Sequence, residues 1–340
     1  NRLDGVKINL FDYKAGQNGD KSSNNWNSPT NDGINNGHQL KFFGHGTGLR
    51  DSNGSNVTGQ NTYDINTYAG GGKRVALQGI VSKTLKETGF TEGYPVVVGN
   101  SHKTGTRKES LEYLFNLNED KISKWVYANV YNLFQKDEND GTYRFDSDKT
   151  YAFYGPEGAN GNADAYTEGG KAFTVYDQTY VTETDANTGQ KYMMGFFPFN
   201  QYNESKTTKG YDSQYNHHLG MTLEGNFIIP RSYTYYNKDI KFNFSGDDDM
   251  WVYIDDVLVL DIGGIHEPVK GEINFTTGEV TISGAVAVGY QWEQGGETST
   301  TLYALFQSAG VFPDGSPWDN DKVDNYFKKE SDESYKSFIS

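Results

Sequence analysis

Asp247, Asp248 and Asp249 follow one another directly, and Asp255-Asp256, Asp261 and His266 come soon after, so one short stretch gathers most of the groups that could do chemistry. Three adjacent carboxylates repel one another and cost stability unless they are solvated or neutralised. The neutraliser they suit best is calcium (Ca2+), a hard cation that takes carboxylate and carbonyl oxygens. A solvated acidic turn accounts for the same residue types, and the residues alone leave both readings open. Oxygen-rich surroundings suit calcium better than zinc, so His266 reads as a hydrogen-bonded structural group near a sheet end, with a ligand role as the alternative.

Catalysis finds less support. A Ser-His-Asp nucleophile lacks the glycine pattern of a nucleophile elbow. Glycoside hydrolysis needs only two separated carboxylates, which any acidic chain supplies, and three adjacent aspartates suit holding a cation better than splitting acid and base roles. With no cysteine in the chain, neither thiolate metal sites nor a cysteine nucleophile are available. In Asp137–Gly141 the glycine comes one residue early for a helix-loop-helix calcium site, so a hairpin turn is the reading there. The chain is read as non-enzymatic.

The elements that must position the acid cluster are strands. Met250, Val252 and Ile254 point to one side of an extended segment and Trp251 and Tyr253 to the other, which predicts a central strand covered on both faces. Asp255-Asp256 then makes the two-residue break of a hairpin before Val257–Leu260. A second hairpin sets Ile273 and Phe275 against Val280 and Ile282 across Thr276–Glu279. Val6–Tyr13 alternates as a first strand, and Phe173–Tyr176, Tyr192–Phe199, Met221–Ile229, Ala285–Trp292 and Thr301–Phe306 are further strands. Helical spacing is read over Lys73–Thr88, Ser110–Leu117 and Ile122–Phe134, while residues 14–72, rich in Gly, Asn, Ser and Thr, read as a loop-like insertion. The predicted fold is mainly β, an antiparallel sandwich or barrel with short helices and long insertions in its first half.

Bulk properties agree. Of 340 residues only 35% are hydrophobic, yet 15% are aromatic, with 25 tyrosines, so the core is built from rings and β-branched residues. Forty glycines point to many tight turns. A net charge of −15 opposes phosphate backbones and anionic lipid, which excludes nucleic acid as a partner. No stretch is long and apolar enough to span a bilayer, so direct membrane insertion is not expected. The chain reads as a mature form or an excised fragment whose signal and anchor lie outside it.

The stretch Phe242–His266 also resembles the fibro-slime domain, a member of the protective-antigen-type (PA-fourteen) β-domain superfamily. The shared pattern is Phe242 and Phe244, Ser245–Asp249, Trp251–Ile254, Leu258 with Asp261, and Gly263, Gly264 and His266. Asp12-Tyr13, Gly79-Ile80-Val81, Asn129, Phe196-Phe197-Pro198 and Asn216-His217-His218 fall in the order of the family's earlier landmarks. The resemblance covers roughly residues 5–306 and implies one elaborated PA-fourteen-like domain over 1–340, with 307–340 as an atypical C-terminal segment. It further implies calcium held by Asp247 and Asp248, with Asp249 adjacent and Asn320 supplied by the later Asp319-Asn320-Asp321 loop. The ligand would sit against Asp247, Asp248, Trp251 and His266. The function so implied is that of a bacterial, Gram-positive cell-surface adhesin domain, extracellular, binding a glycan or a surface protein with calcium. Two alternatives stand beside it: a structural surface or matrix module in which calcium only rigidifies a loop, and a carbohydrate-active enzyme domain.

Overall fold

The computed structural model describes residues 5–13, 76–98, 109–118, 124–130, 133–147, 150–154, 173–177, 182–184, 191–193, 196, 198, 219–247, 249–263, 266, 268–288, 291–331 and 334–339. The chain divides into two compact units, one formed by Asn1–Ala15 with Leu117–Asn226, the other by Gly16–Asn116 with Phe227–Ser340. Both are mainly β, as the alternation predicts. The elements of the first part of the chain are β1 (Val6–Tyr13), β2 (Ala76–Gln78), β3 (Val96–Val97), β4 (Glu109–Ser110), α1 (Glu112–Phe115) and β5 (Lys124–Val130). Short strands follow: β6 (Gln135–Lys136), β7 (Tyr143–Arg144), β8 (Thr150–Tyr154), β9 (Phe173–Asp177), β10 (Thr182–Thr184), β11 (Lys191–Met193) and β12 (Leu219–Gly225). Then come β13 (Thr234–Tyr235), β14 (Lys238–Asp239), β15 (Lys241–Gly246), β16 (Met250–Ile254), β17 (Val257–Ile262), β18 (Val269–Asn274), β19 (Glu279–Val288) and β20 (Gln291–Thr301). The chain closes with α2 (Leu302–Ala309), a 3₁₀ helix (Asn320–Asn325), β21 (Phe327–Ser331) and β22 (Ser334–Phe338). Among the described residues no helix is long and apolar enough to cross a membrane.

In the first unit β1 is the middle strand of a three-stranded antiparallel sheet, between β12 and β5. Ile8 and Leu10 enter a small core with Tyr127, Val130, Leu133 and Phe196. Phe145 meets Phe196 edge-on at 4.9 Å. The helix predicted over Ile122–Phe134 is instead β5. Its β-branched and aromatic residues fit a half-buried pleated surface, and a register shift opposite Ile8 and Leu10 puts Val126, Tyr127 and Val130 inside at a spacing that mimics a helix. Asn129 there adopts φ 58° and donates its backbone N–H to Asn9 Oδ1 at 3.1 Å.

In the second unit β19 is the organising strand. β20 pairs along it antiparallel, β18 pairs beside its first half, and β2 runs parallel to its second half; β15 extends the sheet beyond β18. Gly271 on β18 has no side chain because β17 packs over it: a Cβ there would lie 2.7 Å from Leu260 Cδ2 and 3.0 Å from Ile262 Cδ1. The hairpin β16–β17 closes through Asp255-Asp256 as read from sequence, both in the left-handed region at φ 47° and 65°, the geometry of a type I′ turn. The strand enclosed on both faces is β17, however, not β16. β16 pairs with β17 alone among the described strands and stays half-buried along most of its length.

Other readings also need correction. Thr301–Phe306 is not a strand: Thr301 Oγ1 accepts the Ala304 N–H at 3.2 Å as an N-cap, and α2 then buries Leu302 and Phe306 four residues apart, ending at Gly310. Helices are thus not confined to the first half. Lys73–Thr88 is not a helix where it is described; after β2 it becomes an irregular segment that buries Ile80 and Val81 and bonds to the β16–β17 hairpin through Lys83 and Leu85. Ser110–Leu117 shortens to α1, and Ala285–Trp292 spans the end of β19 and the start of β20. The C-terminal segment is part of the core rather than a tail. Phe312, Val323, Phe327 and Phe338 are all buried in it, and Phe312 stacks between Trp318 (4.6 Å) and Tyr326 (4.3 Å). Residues 14–72 and His217-His218 lie outside the described residues.

Candidate functional site

β15 carries the acid cluster at its far end. Asp247 is exposed just after the strand, Asp249 is half-buried before β16, and Asp248 lies outside the described residues. Among the described residues no three His, Cys, Asp or Glu side chains come together as a metal-holding group. Asn320 is committed locally. Its Oδ1 accepts the Trp318 indole N–H at 2.9 Å, while Asp319 caps the Asp321 N–H at 3.1 Å and pairs with Lys322 at 3.2 Å. Asp319 and Asn320 thus spend side-chain oxygens on their own loop.

Trp251 and His266 point inward. His266 is 3% exposed. The Trp251 indole nitrogen is sealed from solvent beside the carboxylate of Asp261, its cross-strand partner. Asp261 Oδ2 accepts the Gly79 N–H at 2.6 Å, and Oδ1 is enclosed with no hydrogen bond of good geometry among the described residues. Burial pushes this carboxyl up to about 7, against the Gly79 N–H and the Trp251 indole, which both favour the ionised form. Burial, with the Asp261 charge second, also raises the Tyr253 phenol, whose hydroxyl lies 3.5 Å from the Ser82 carbonyl. His266 is buried, whereas Trp251, Tyr253 and Asp261 are half-buried.

The other end of β15 presents a different surface, which the sequence reading missed. β13 and β14 form a minimal hairpin whose turn residues, Tyr236 and Asn237, take φ 52° and 56°, a type I′ turn. Asn tolerates that region; a tyrosine there is strained by about 1 kcal/mol or more. Tyr235 and Tyr236 are 57% and 58% exposed, and their rings meet edge-to-face at 4.7 Å. The base of the hairpin is rigid. Thr276 Oγ1 donates to the Tyr233 carbonyl at 2.5 Å and accepts the Ile240 N–H at 3.0 Å, and Asn274 donates to Asp239 at 2.9 Å. Lys328 Nζ sits 3.9 Å over the Tyr233 ring. A signal was present in the sequence: Tyr233-Thr234-Tyr235-Tyr236-Asn237-Lys238 places rings where a turn normally carries small polar residues. With β15 extended between them, the tyrosine tip and Asp247 stand about 20 Å apart along the strand, too far for one small-ligand site.

Comparison with known proteins finds relatives in Dictyostelium discoideum. The chain is 34% identical to Protein psiD over 119 residues, which is 35% of this chain and 20% of psiD. It is 40% identical to Protein psiB over 68 residues, 20% of the chain and 11% of psiB, and 46% identical to Protein psiO over 61 residues, 18% of the chain and 7% of psiO. The matched regions therefore span a fifth or less of these relatives' lengths. No protein-family model matches the chain, and no solved structure does. These findings correct the resemblance drawn from Phe242–His266: the relatives are eukaryotic proteins, and assignment to a bacterial, Gram-positive fibro-slime adhesin does not stand. A short run of acidic, aromatic and glycine residues around a tight hairpin carries that pattern, and such a run answers to local hairpin chemistry as much as to descent.

Proposed function

We propose that this chain is a non-enzymatic recognition module of a longer protein, holding a neutral glycan on the Tyr235–Tyr236 tip. The observation that carries the reading is the exposed tyrosine pair, kept on a strained type I′ turn above a rigid base. Strain in an exposed turn costs stability without helping the core, and it persists where the displayed groups serve another purpose. Phenol rings offer an apolar surface to the C–H face of a sugar and hydroxyls to its polar edge. The net charge of −15 disfavours anionic glycans, which leaves uncharged ones as the class proposed. The relatives' names state no ligand, so this reading rests on the tip itself.

A glycan array probed with the chain tests it. Binding should be lost in Tyr235→Ala and in Tyr236→Ala, both of which should fold normally because the rings are exposed. The calcium-dependent alternative, with the ion at Asp247 and its neighbours, predicts loss on chelation and in Asp247→Ala. The tyrosine tip predicts retention in both. An array with no tyrosine-dependent signal sinks the proposal.

A further inference from the structure

Asp261 takes no part in the tyrosine tip, yet it is a half-buried residue whose Oδ1 is shut from solvent, and it joins two parts of the chain far apart in sequence. Residues 79–98 fold into a compact segment, closed on itself by Val98 N–H to the Ile80 carbonyl and Ser82 N–H to the Val96 carbonyl, both at 2.8 Å. The segment lies along the β16–β17 hairpin, and two of its fastenings differ in kind. Near the hairpin turn, Leu85 N–H donates to the Asp256 carbonyl at 2.8 Å and Leu258 N–H to the Lys83 carbonyl at 2.9 Å. Along the strands, the Gly79 N–H donates to Asp261 Oδ2 at 2.6 Å, and the two residues are 182 apart in sequence. The first fastening is backbone to backbone and indifferent to pH. The second depends on a side chain that can gain or lose a proton.

We propose that Asp261 is a proton-controlled latch for the segment 79–98: the neutral acid lets the segment close over the enclosed Oδ1, and ionisation favours an opening at the Gly79 end that hydrates the charge. The physical reason is desolvation. Among the described residues, a carboxylate enclosed with one backbone N–H and a neighbouring indole has no cation to offset the loss of water. The groups around it bear this out. β16 brings the Trp251 indole and the Tyr253 phenol, itself pushed upward by burial. The segment brings Gly79 and Ser82, and its lysines are directed elsewhere, Lys83 to Ser308 at 2.7 Å and Lys86 to Asp256 at 2.8 Å. No charged side chain among the described residues contributes to the shift of the Asp261 carboxyl.

Linkage fixes the direction. The closed state holds a carboxyl titrating at about 7, whereas a hydrated one titrates at its ordinary 3.8, so between those values closing takes up a proton. The latch is therefore tightest at mildly acidic pH and weakens as pH rises through about 7, levelling off roughly one unit above it. From pH 5 to pH 7 the opening equilibrium at Gly79 should rise on the order of 50-fold.

The test is amide hydrogen exchange at Gly79, normalised for intrinsic exchange, together with an NMR titration of the Asp261 carboxyl carbon in the wild-type chain. The expected result is a titration near neutrality and a Gly79 protection factor that falls with it, while Leu85 and Leu258 amides change much less. Asp261→Asn keeps an oxygen for the Gly79 N–H and removes the proton, so its Gly79 protection should be independent of pH. Should that variant fail to fold, the wild-type titration and exchange decide alone. A carboxyl titrating near 4, or Gly79 protection that ignores pH between 5 and 7 in the wild type, overturns the proposal.

Discussion

Replacing Gly278 with alanine should be among the most damaging conservative changes in the chain. Gly278 ends the β18–β19 turn at φ 79°, where its N–H bonds to the Asn274 carbonyl at 2.6 Å and its carbonyl accepts the Leu302 N–H at 2.8 Å. The backbone of β22 lies directly over it. An added Cβ would fall on the Lys336 carbonyl group and the Ser337 nitrogen, well inside the 3.0 Å that real Cβ atoms keep, and backbone atoms cannot step aside as a side-chain end can. The left-handed conformation costs a β-carbon about 1 kcal/mol. Lifting β22 also breaks the Ser337 Oγ bond to the Phe275 carbonyl, worth about 1 kcal/mol, and uncovers part of Phe338 and Phe327, at up to about 1.5–3 kcal/mol per ring. The sum is about 3–5 kcal/mol. Gly310→Ala is the control, since Gly310 has nearly the same φ, 77°, with nothing within 4 Å of an added methyl, and should cost only about 1 kcal/mol. Urea denaturation of the two variants measures the difference. Equal losses would refute the claim that the C-terminal hairpin is packed onto this turn.

Other changes test other parts of the account. Phe312→Ala removes the middle ring of the Trp318–Phe312–Tyr326 stack and should cost about 3–5 kcal/mol by denaturant titration. Asp256→Gly should stabilise by about 0.4–1 kcal/mol, because relief at φ 65° outweighs an exposed ion pair with Lys86; a clear loss would mean that pair matters more than its exposure allows. Tyr236→Gly should raise the melting temperature slightly and abolish glycan binding, separating strain from recognition. Ser316 and the Tyr326 hydroxyl hold the Asp314 carboxyl down at about 2, so its stabilising share is present above 3.8 and disappears as pH falls through about 2; acid titration of Asp314→Asn should show that share missing.

Much of the β architecture could be read from residue pattern, because alternation reports burial directly. Val6–Tyr13 and the Asp255-Asp256 turn form where the spacing put them, and the hairpin around Thr276–Glu279 forms with its register shifted, Ile273 opposite Val280 and Gly271 opposite Ile282. The failures have physical causes. β5 passed for a helix because a bulge altered the inward spacing, and that bulge exists only through pairing with β1. The segment after β2 reads as a helix by spacing, but its backbone bonds go to a hairpin distant in sequence and to its own residues 96–98 instead of to a helical turn. At α2 the strand reading over Thr301–Phe306 missed the cap at Thr301 and the stop at Gly310 that the structure uses. The candidate site was legible only in part. Crowded aspartates mark one end of β15, whereas the tyrosines at the other end are marked by exposure together with their ring contact and positive φ, which no spacing reveals.

The claim that ligand recognition sits on the tyrosine tip is tested most directly by amide NMR mapping of a glycan titration with chelator present, using a sugar that binds the chain on an array. The account predicts shifts centred on Tyr235, Tyr236 and Asn237, with Asp247 and Asp249 unmoved. Shifts that centre instead on Asp247 and Asp249, and appear only when calcium is restored, would contradict it.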